Sequence, residues 1–157
     1  MAVVVVRTVR CVGYLPTDPP IPAVKVEVAE PVNGRKKEYV APVDTGFAGF
    51  LMVPQADYSE LASMELAREA WGSYSTLAGP ILMRRARVKM GLQGGPVESI
   101  LETPLHGGGK LLLGRRLLNM LDLALLGGSA QACALEKVDP ESERPRGSGK
   151  RRPPARA

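Results

Sequence analysis

A chain of 157 residues, 45% of them hydrophobic, can bury a real core in one domain with a tail to spare. Its net charge of +5 raises the question of nucleic acid, but the excess is largely terminal and the interior has few aromatics for base stacking, which argues against a single-strand-binding platform. The Val3 to Val6 run is broken by Arg7 and is too short for a signal-peptide core or a membrane span, so a soluble, cytoplasmic protein is expected, without membrane association.

In chain order, residues 2–12 read as a β-strand because a Val-rich run favours a pleated, half-buried surface. Residues 14–22 are a connection in which Pro16, Pro19, Pro20 and Pro22 remove amide donors and fix φ. Over residues 23–29, Val24, Val26 and Val28 alternate with Lys25 and Glu27, giving a strand with one wet face. Asn33-Gly34 is the strongest short hairpin signal in the chain. It returns a strand through Tyr39 and Val40 to Val43 and delivers Asp44 at that strand's end. Asp44-Thr45-Gly46 then offers a short carboxylate, a hydroxyl, and a glycine that lets backbone approach closely. Alone, this tripeptide is also an ordinary turn.

Residues 50–53 form a second apolar strand, and Pro54 suits the first turn of a short helix to about Leu61. Residues 64–74 favour helix by composition. Residues 73–77 and 81–88 read as the arms of a hairpin with its tip at Ala78-Gly79-Pro80, and Gly94-Gly95 makes another turn. The run His106-Gly107-Gly108-Gly109-Lys110 lacks the Gly-Lys-Ser/Thr ending of a phosphate loop and reads as a mobile surface loop. Residues 111–114 are an apolar strand, and residues 115–121 a short helix with Leu117, Leu118 and Leu121 on one face. Residues 122–126 and 131–138 are the last strands, on either side of Gly127-Gly128. His106 is the only histidine and the two cysteines are far apart, so no metal or other cofactor is expected. Cys11 and Cys133 lie in apolar runs and read as buried thiols, with a bridge between terminal strands as the alternative.

Arg144, Arg146, Lys150, Arg151, Arg152 and Arg156 crowd a Pro/Gly stretch with almost no apolar residues. Such a stretch cannot bury enough surface to order itself, so 1–138 is expected to be the folded domain and 139–157 a disordered, solvated basic tail. Many short strands, little helix and frequent Gly/Pro turns point to an all-β, closed, barrel-like fold.

Val-Asp-Thr-Gly-Phe-Ala-Gly at 43–49, followed much later by Leu-Leu-Gly-Arg-Arg-Leu-Leu at 112–118, resembles the retropepsin-like (retroviral-type) aspartic proteases, especially their small prokaryotic members. The resemblance implies an acid-protease β-barrel with one short C-terminal helix, one lobe per chain, active as a homodimer on a peptide or protein substrate. Asp18, Asp57, Asp122 and Asp139 lack a following Thr/Ser-Gly, so a second catalytic carboxylate would come from another copy of the chain. By resemblance Asp44 is the catalytic acid, Thr45 bonds to the partner's loop, and Gly46 offers backbone to an extended peptide. Ala78 and Gly79 cover that peptide as a flap, Phe47, Ile81 and Leu82 wall its pockets, and 64–74 leads into the flap as a strand. This chain carries Ala48 where the viral enzymes have an aspartate, and Arg116 where they have Asn or Asp. Two other readings stand beside the endopeptidase: a catalytically silent, dimerising peptide-binding module with the same fold, and a nucleic-acid-associated protein anchored by its tail.

Overall fold

The computed structural model describes residues 5–92 and 95–138. The expected tail at 139–157, the first residues of the N-terminal strand and Gly94 of the Gly94-Gly95 turn lie outside the described residues. In chain order the elements are β1 (Val5–Gly13), β2 (Ala23–Ala29), β3 (Lys36–Pro42), β4 (Leu51–Met52), α1 (Gln55–Leu61), β5 (Gly72–Thr76), β6 (Gly79–Leu92), β7 (Gly95–Pro104), β8 (Leu112–Leu113), α2 (Arg115–Leu118), β9 (Leu123–Leu126) and β10 (Gln131–Val138).

The alternation in β2 does what it predicts: Val26 and Val28 are fully buried while Lys25 and Glu27 are exposed. β2 and β3 pair antiparallel from Ala23 opposite Pro42 to Ala29 opposite Lys36. Their turn is wider than the two-residue hairpin that Asn33-Gly34 suggests, because the Glu30 N–H donates to Arg35 across it. Gly34 takes φ +70° within that turn. The Glu30 carboxylate, buried beneath it, accepts the Val32 and Asn33 N–H groups and the Ser63 hydroxyl. The Ser63 bond is the main cause holding this carboxyl below the usual range; burial opposes it, and the Asn33 and Val32 amides add to it.

The larger sheet runs β3-β2-β6-β7-β4-β8, with β5 also on β6. It is an open path, not the closed barrel expected, and its ends meet only at an isolated parallel bridge between Val43 and Leu113. β4 and β8 are two residues each, too short to carry a closing ladder. Inside lie Val26, Val28, Leu51, Met90, Leu101 and Leu113, all fully buried, capped by Tyr58 and Leu61 of α1 and Leu117 of α2. Truncating one such leucine to alanine costs about 2–5 kcal/mol.

Among the described residues two short α-helices are present, where Pro54 and the leucine spacing near Leu117 predict them, the second ending at Leu118 and not at Leu121. The stretch at 64–74 departs from both expectations. It holds a 3₁₀ turn at Arg68–Ala70 and one isolated bridge, Glu65 to Ala86, and strand begins only at Gly72. The glycine loop after His106 is exposed but pinned, since the Gln55 N–H donates to Gly108 and the Gln55 side-chain amide to Pro104.

The terminal strands make a separate sheet, β1-β10-β9. Its register sets Cys11 directly opposite Cys133, and the two form a disulfide with Cα atoms 4.0 Å apart. The expectation of buried thiols is thereby corrected; only Cys133 is buried, and cross-strand pairing brings together residues that sequence distance had kept apart. No helix among the described residues is long and apolar enough to cross a membrane.

Candidate active site

Asp44 leaves β3 one residue after the Val43–Leu113 bridge, and its N–H donates to the Leu113 carbonyl at 3.0 Å. Its Oδ1 accepts the Gly46 N–H at 2.8 Å and the Phe47 N–H at 3.2 Å, an Asx-type turn that holds the carboxylate by its own loop. Asp44 is half-buried, and Thr45 and Gly46 are exposed.

The rest of the loop is clasped by the segment after β8. Gly114 N–H donates to Phe50 at 2.7 Å, Arg115 to Phe47 at 2.8 Å and Arg116 to Gly49 at 3.0 Å. The start of α2, whose amides would otherwise lack partners, thus finds its acceptors in the acid loop. The approach is close enough to require glycine. A Cβ on Gly114 would lie 2.7 Å from Phe47 Cδ1 and 2.8 Å from the Gly49 carbonyl carbon, and one on Gly49 would strike the Phe47 ring and the Glu102 carboxylate. This explains in contact terms why Asp-Thr-Gly-Phe-Ala-Gly and Leu-Leu-Gly-Arg-Arg occur in one chain. Arg116 lays its guanidinium over the Phe50 ring, 5.2 Å from the centroid.

Behind the loop is a cluster that sequence reasoning missed. Glu102, fully buried on β7, accepts the Phe50 N–H on Oε2 at 2.8 Å. Its Oε1 accepts the Tyr74 hydroxyl at 2.6 Å and Arg85 Nε at 2.8 Å, and Arg85 also donates to the Tyr74 oxygen at 2.7 Å. Burial, and then the bond to Glu102, push the Tyr74 hydroxyl up to about 12. Gly72 leaves space for Arg85, since a Cβ there would lie 2.7 Å from the guanidinium carbon. The available signal was a lone carboxylate in the run Ile100-Leu101-Glu102-Thr103, facing the Arg84-Arg85 pair. Successive strand residues point to opposite faces. Arg84 accordingly goes the other way, to Glu65 and over the Tyr58 ring.

The β5–β6 hairpin turns at Leu77 and Ala78, with Thr76 opposite Gly79. The Thr76 hydroxyl donates to the Gly79 carbonyl at 2.7 Å and accepts the Ala78 N–H at 3.2 Å, while Gly79 takes φ +109°. The tip sits one residue before the expected Ala78-Gly79-Pro80, because Pro80 is already paired with Ser75. Leu77 is fully exposed and Ile81 is 39% exposed, opposite Tyr74.

Asp44, Thr45, Gly46 and Phe47 therefore share one loop, and Ala78, Gly79 and Ile81 one hairpin. The two are linked through Tyr74, whose ring meets Phe47 edge-on at 5.3 Å. Phe47, expected as a pocket wall, is 8% exposed in the single chain and packs inward. No group of three His, Cys, Asp or Glu among the described residues could hold a metal.

No protein-family model matches this chain, and no curated protein does. Solved structures do. One is EIAV protease complexed with the inhibitor HBY-793, at 17% identity, covering 64% of this chain and 86% of that one with a TM-score of 0.45. Another is a retropepsin-like aspartic protease from Rickettsia conorii, at 14% identity, covering 88% of this chain and 98% of that one with a TM-score of 0.51. The Rickettsia alignment spans nearly the whole of both chains and at that identity speaks to architecture, from which it follows that this chain has a retropepsin-like fold.

Proposed function

We propose that the chain is an aspartic endopeptidase working as a homodimer, with Asp44 of each subunit forming the catalytic pair. The observation that supports this reading is the seating of Asp44: a half-buried carboxylate fixed through Oδ1 by two amides of its own loop, within a retropepsin-like fold. The chain contains one Asp-Thr-Gly, so the pair requires two copies.

Two carboxylates in contact cannot both ionise cheaply, so the proposed pair holds one proton between them. The ionised Asp44 takes a proton from water as the water oxygen attacks the peptide carbonyl carbon, and the protonated Asp44 donates to the carbonyl oxygen. In the second step the protonated Asp44 gives its proton to the amide nitrogen, the C–N bond breaks, and the other Asp44 takes a proton from a hydroxyl of the tetrahedral intermediate, so the pair again holds one proton.

Thr45, exposed beside the acid, is suited to bond across to the partner's loop, and Gly46 to offer backbone to the substrate. Ala78, Gly79 and Ile81 would cover an extended peptide bound by main-chain hydrogen bonds, with Phe47 supporting the floor from within. The expected cytoplasmic setting and the Cys11–Cys133 disulfide pull in opposite directions, since disulfides are rare in a reducing cytosol.

The test is cleavage of a mixed peptide library between about pH 3 and 7, a range bracketing carboxylate titration, with wild type and Asp44→Asn compared and both weighed in solution. A dimer that cuts with a bell-shaped pH profile, lost in the mutant, supports the reading. A dimer that cuts nothing leaves a peptide-binding module, and a monomer removes the dyad.

A further inference from the structure

Resting on the reading of Asp44 as the catalytic acid, we infer that Glu102, Arg85 and Tyr74 are positioning residues that couple the β5–β6 hairpin to the acid loop. Each member of this cluster touches the other two, and its ends lie on different functional parts. Glu102 Oε2 holds the Phe50 amide, on the loop that carries Asp44. Tyr74 belongs to β5, opposite Ile81 and two residues before the last hairpin pair, Thr76 with Gly79. Its ring also meets Phe47 of the acid loop. A displacement of β5 therefore pulls on the acceptor that fixes Phe50, and a displacement of the loop pulls on the hairpin.

The cluster is an expensive way to fill space. A buried ion pair repays its desolvation only when its geometry is good and its remaining valences are filled, and apolar residues of similar volume often serve stability as well. Here the Glu102 bonds named above are all between 2.6 and 2.8 Å. Two neighbouring positions, Gly49 and Gly72, also go without a Cβ where one would strike Glu102 and Arg85. Glu30, the other buried glutamate among the described residues, is accounted for by the turn it caps; Glu102 caps nothing and bridges elements instead. Arg84 supplies an internal control, because its pair with Glu65 lies on the opposite face of β6.

The deciding variant is Tyr74→Phe, which removes the hydroxyl and leaves the ring against Phe47. Two readouts are needed: amide hydrogen exchange, and kcat and KM per active site titrated with a non-cleavable hydroxyethylene peptide analogue. Coupling predicts that exchange at Gly46, Phe47 and Phe50 accelerates about tenfold while amides of β2 and β3 keep their protection, as expected for a local opening. It also predicts that kcat per titrated site falls by about the same factor, since small misplacements of a reacting group are costly. Glu102→Gln should act in the same direction, and Arg84→Gln should lower the melting temperature without moving the three loop amides. If Tyr74→Phe leaves the loop amides unchanged, or accelerates every amide alike, the coupling is refuted. Should wild type and Asp44→Asn both fail to cut any peptide, the catalytic reading falls, and the exchange result still decides the coupling.

Discussion

In the larger sheet Val26, Val28, Leu51, Met90, Leu101 and Leu113 are wholly buried, and the acid loop sits where that sheet's two ends meet. In the terminal sheet, only Ala132 and Cys133 among the described side chains are buried, while Val6, Val9, Leu125 and Leu126 are exposed. The first region is held by side-chain burial and by a charged cluster with its valences filled. The second is held by strand pairing and a covalent bond between β1 and β10. The contrast teaches where position matters: the carboxylate proposed to meet its twin is set in the region fixed by burial, and β1 and β10 are tied by a bond that needs no core.

Each prediction tries to break that division. Asp44→Asn should lower peptide hydrolysis about 10³-fold, the scale of losing a general acid-base pair. Its melting temperature should stay near wild type, because the amide oxygen can still accept the Gly46 and Phe47 N–H groups. Mixing in a ninefold excess of the mutant should cut the rate per wild-type chain about tenfold if subunits exchange at random in a two-fold dimer. Next in size, replacing Cys11 and Cys133 with alanine should cost about 2–4 kcal/mol. Hydrogen exchange should rise in β1, β9 and β10 first, and an equal rise in β6 and β7 would erase the division.

Gly114→Ala should cost about 1–3 kcal/mol, the usual toll of overpacking. That loss should appear together with faster exchange at Arg115 and Arg116, whose amides bond to the loop. The smallest effect concerns acid. Glu30, mainly through Ser63, and Glu65, mainly through Arg84, have carboxyls held below their ordinary range. Their contribution is full above the unfolded pKa and is lost as pH falls through the lowered folded value. Thermal melts from neutral to strongly acidic pH should show stability lost below the ordinary carboxylate range, and Ser63→Ala should shift that loss to higher pH.

Sequence was most legible where physics is local. The valine alternation of β2, Pro54 before α1 and the glycines between β9 and β10 each depend on a few neighbouring residues, and the elements follow them. The place of Asp44 at a strand's end was legible because Asp-Thr-Gly stands between two apolar runs, and the retropepsin-like fold because its second motif follows at a distance. What could not be read depends on who faces whom. The Cys11–Cys133 bond needs a register across 122 residues, and Glu102 needs Tyr74 and Arg85 from other strands. The barrel was over-read, since short strands and turns fix the class of fold without fixing whether β8 is long enough to close it. At 64–74, helix-favouring composition lost to backbone bonds with β6, from Leu66 to Arg85 and from Arg87 to Met64.

The clasp between the acid loop and Leu113 to Arg116 also has a meaning in time. A ribosome releases Asp44 long before the amides of Gly114, Arg115 and Arg116 that grip its loop. Loop and clasp are far apart in the chain, and contacts of that kind form slowly because the intervening segment must be gathered first. While the intervening residues are made, the growing polypeptide therefore carries this carboxylate on a bend held only by its own Gly46 and Phe47 amides, and the clasp is completed only once α2 has emerged.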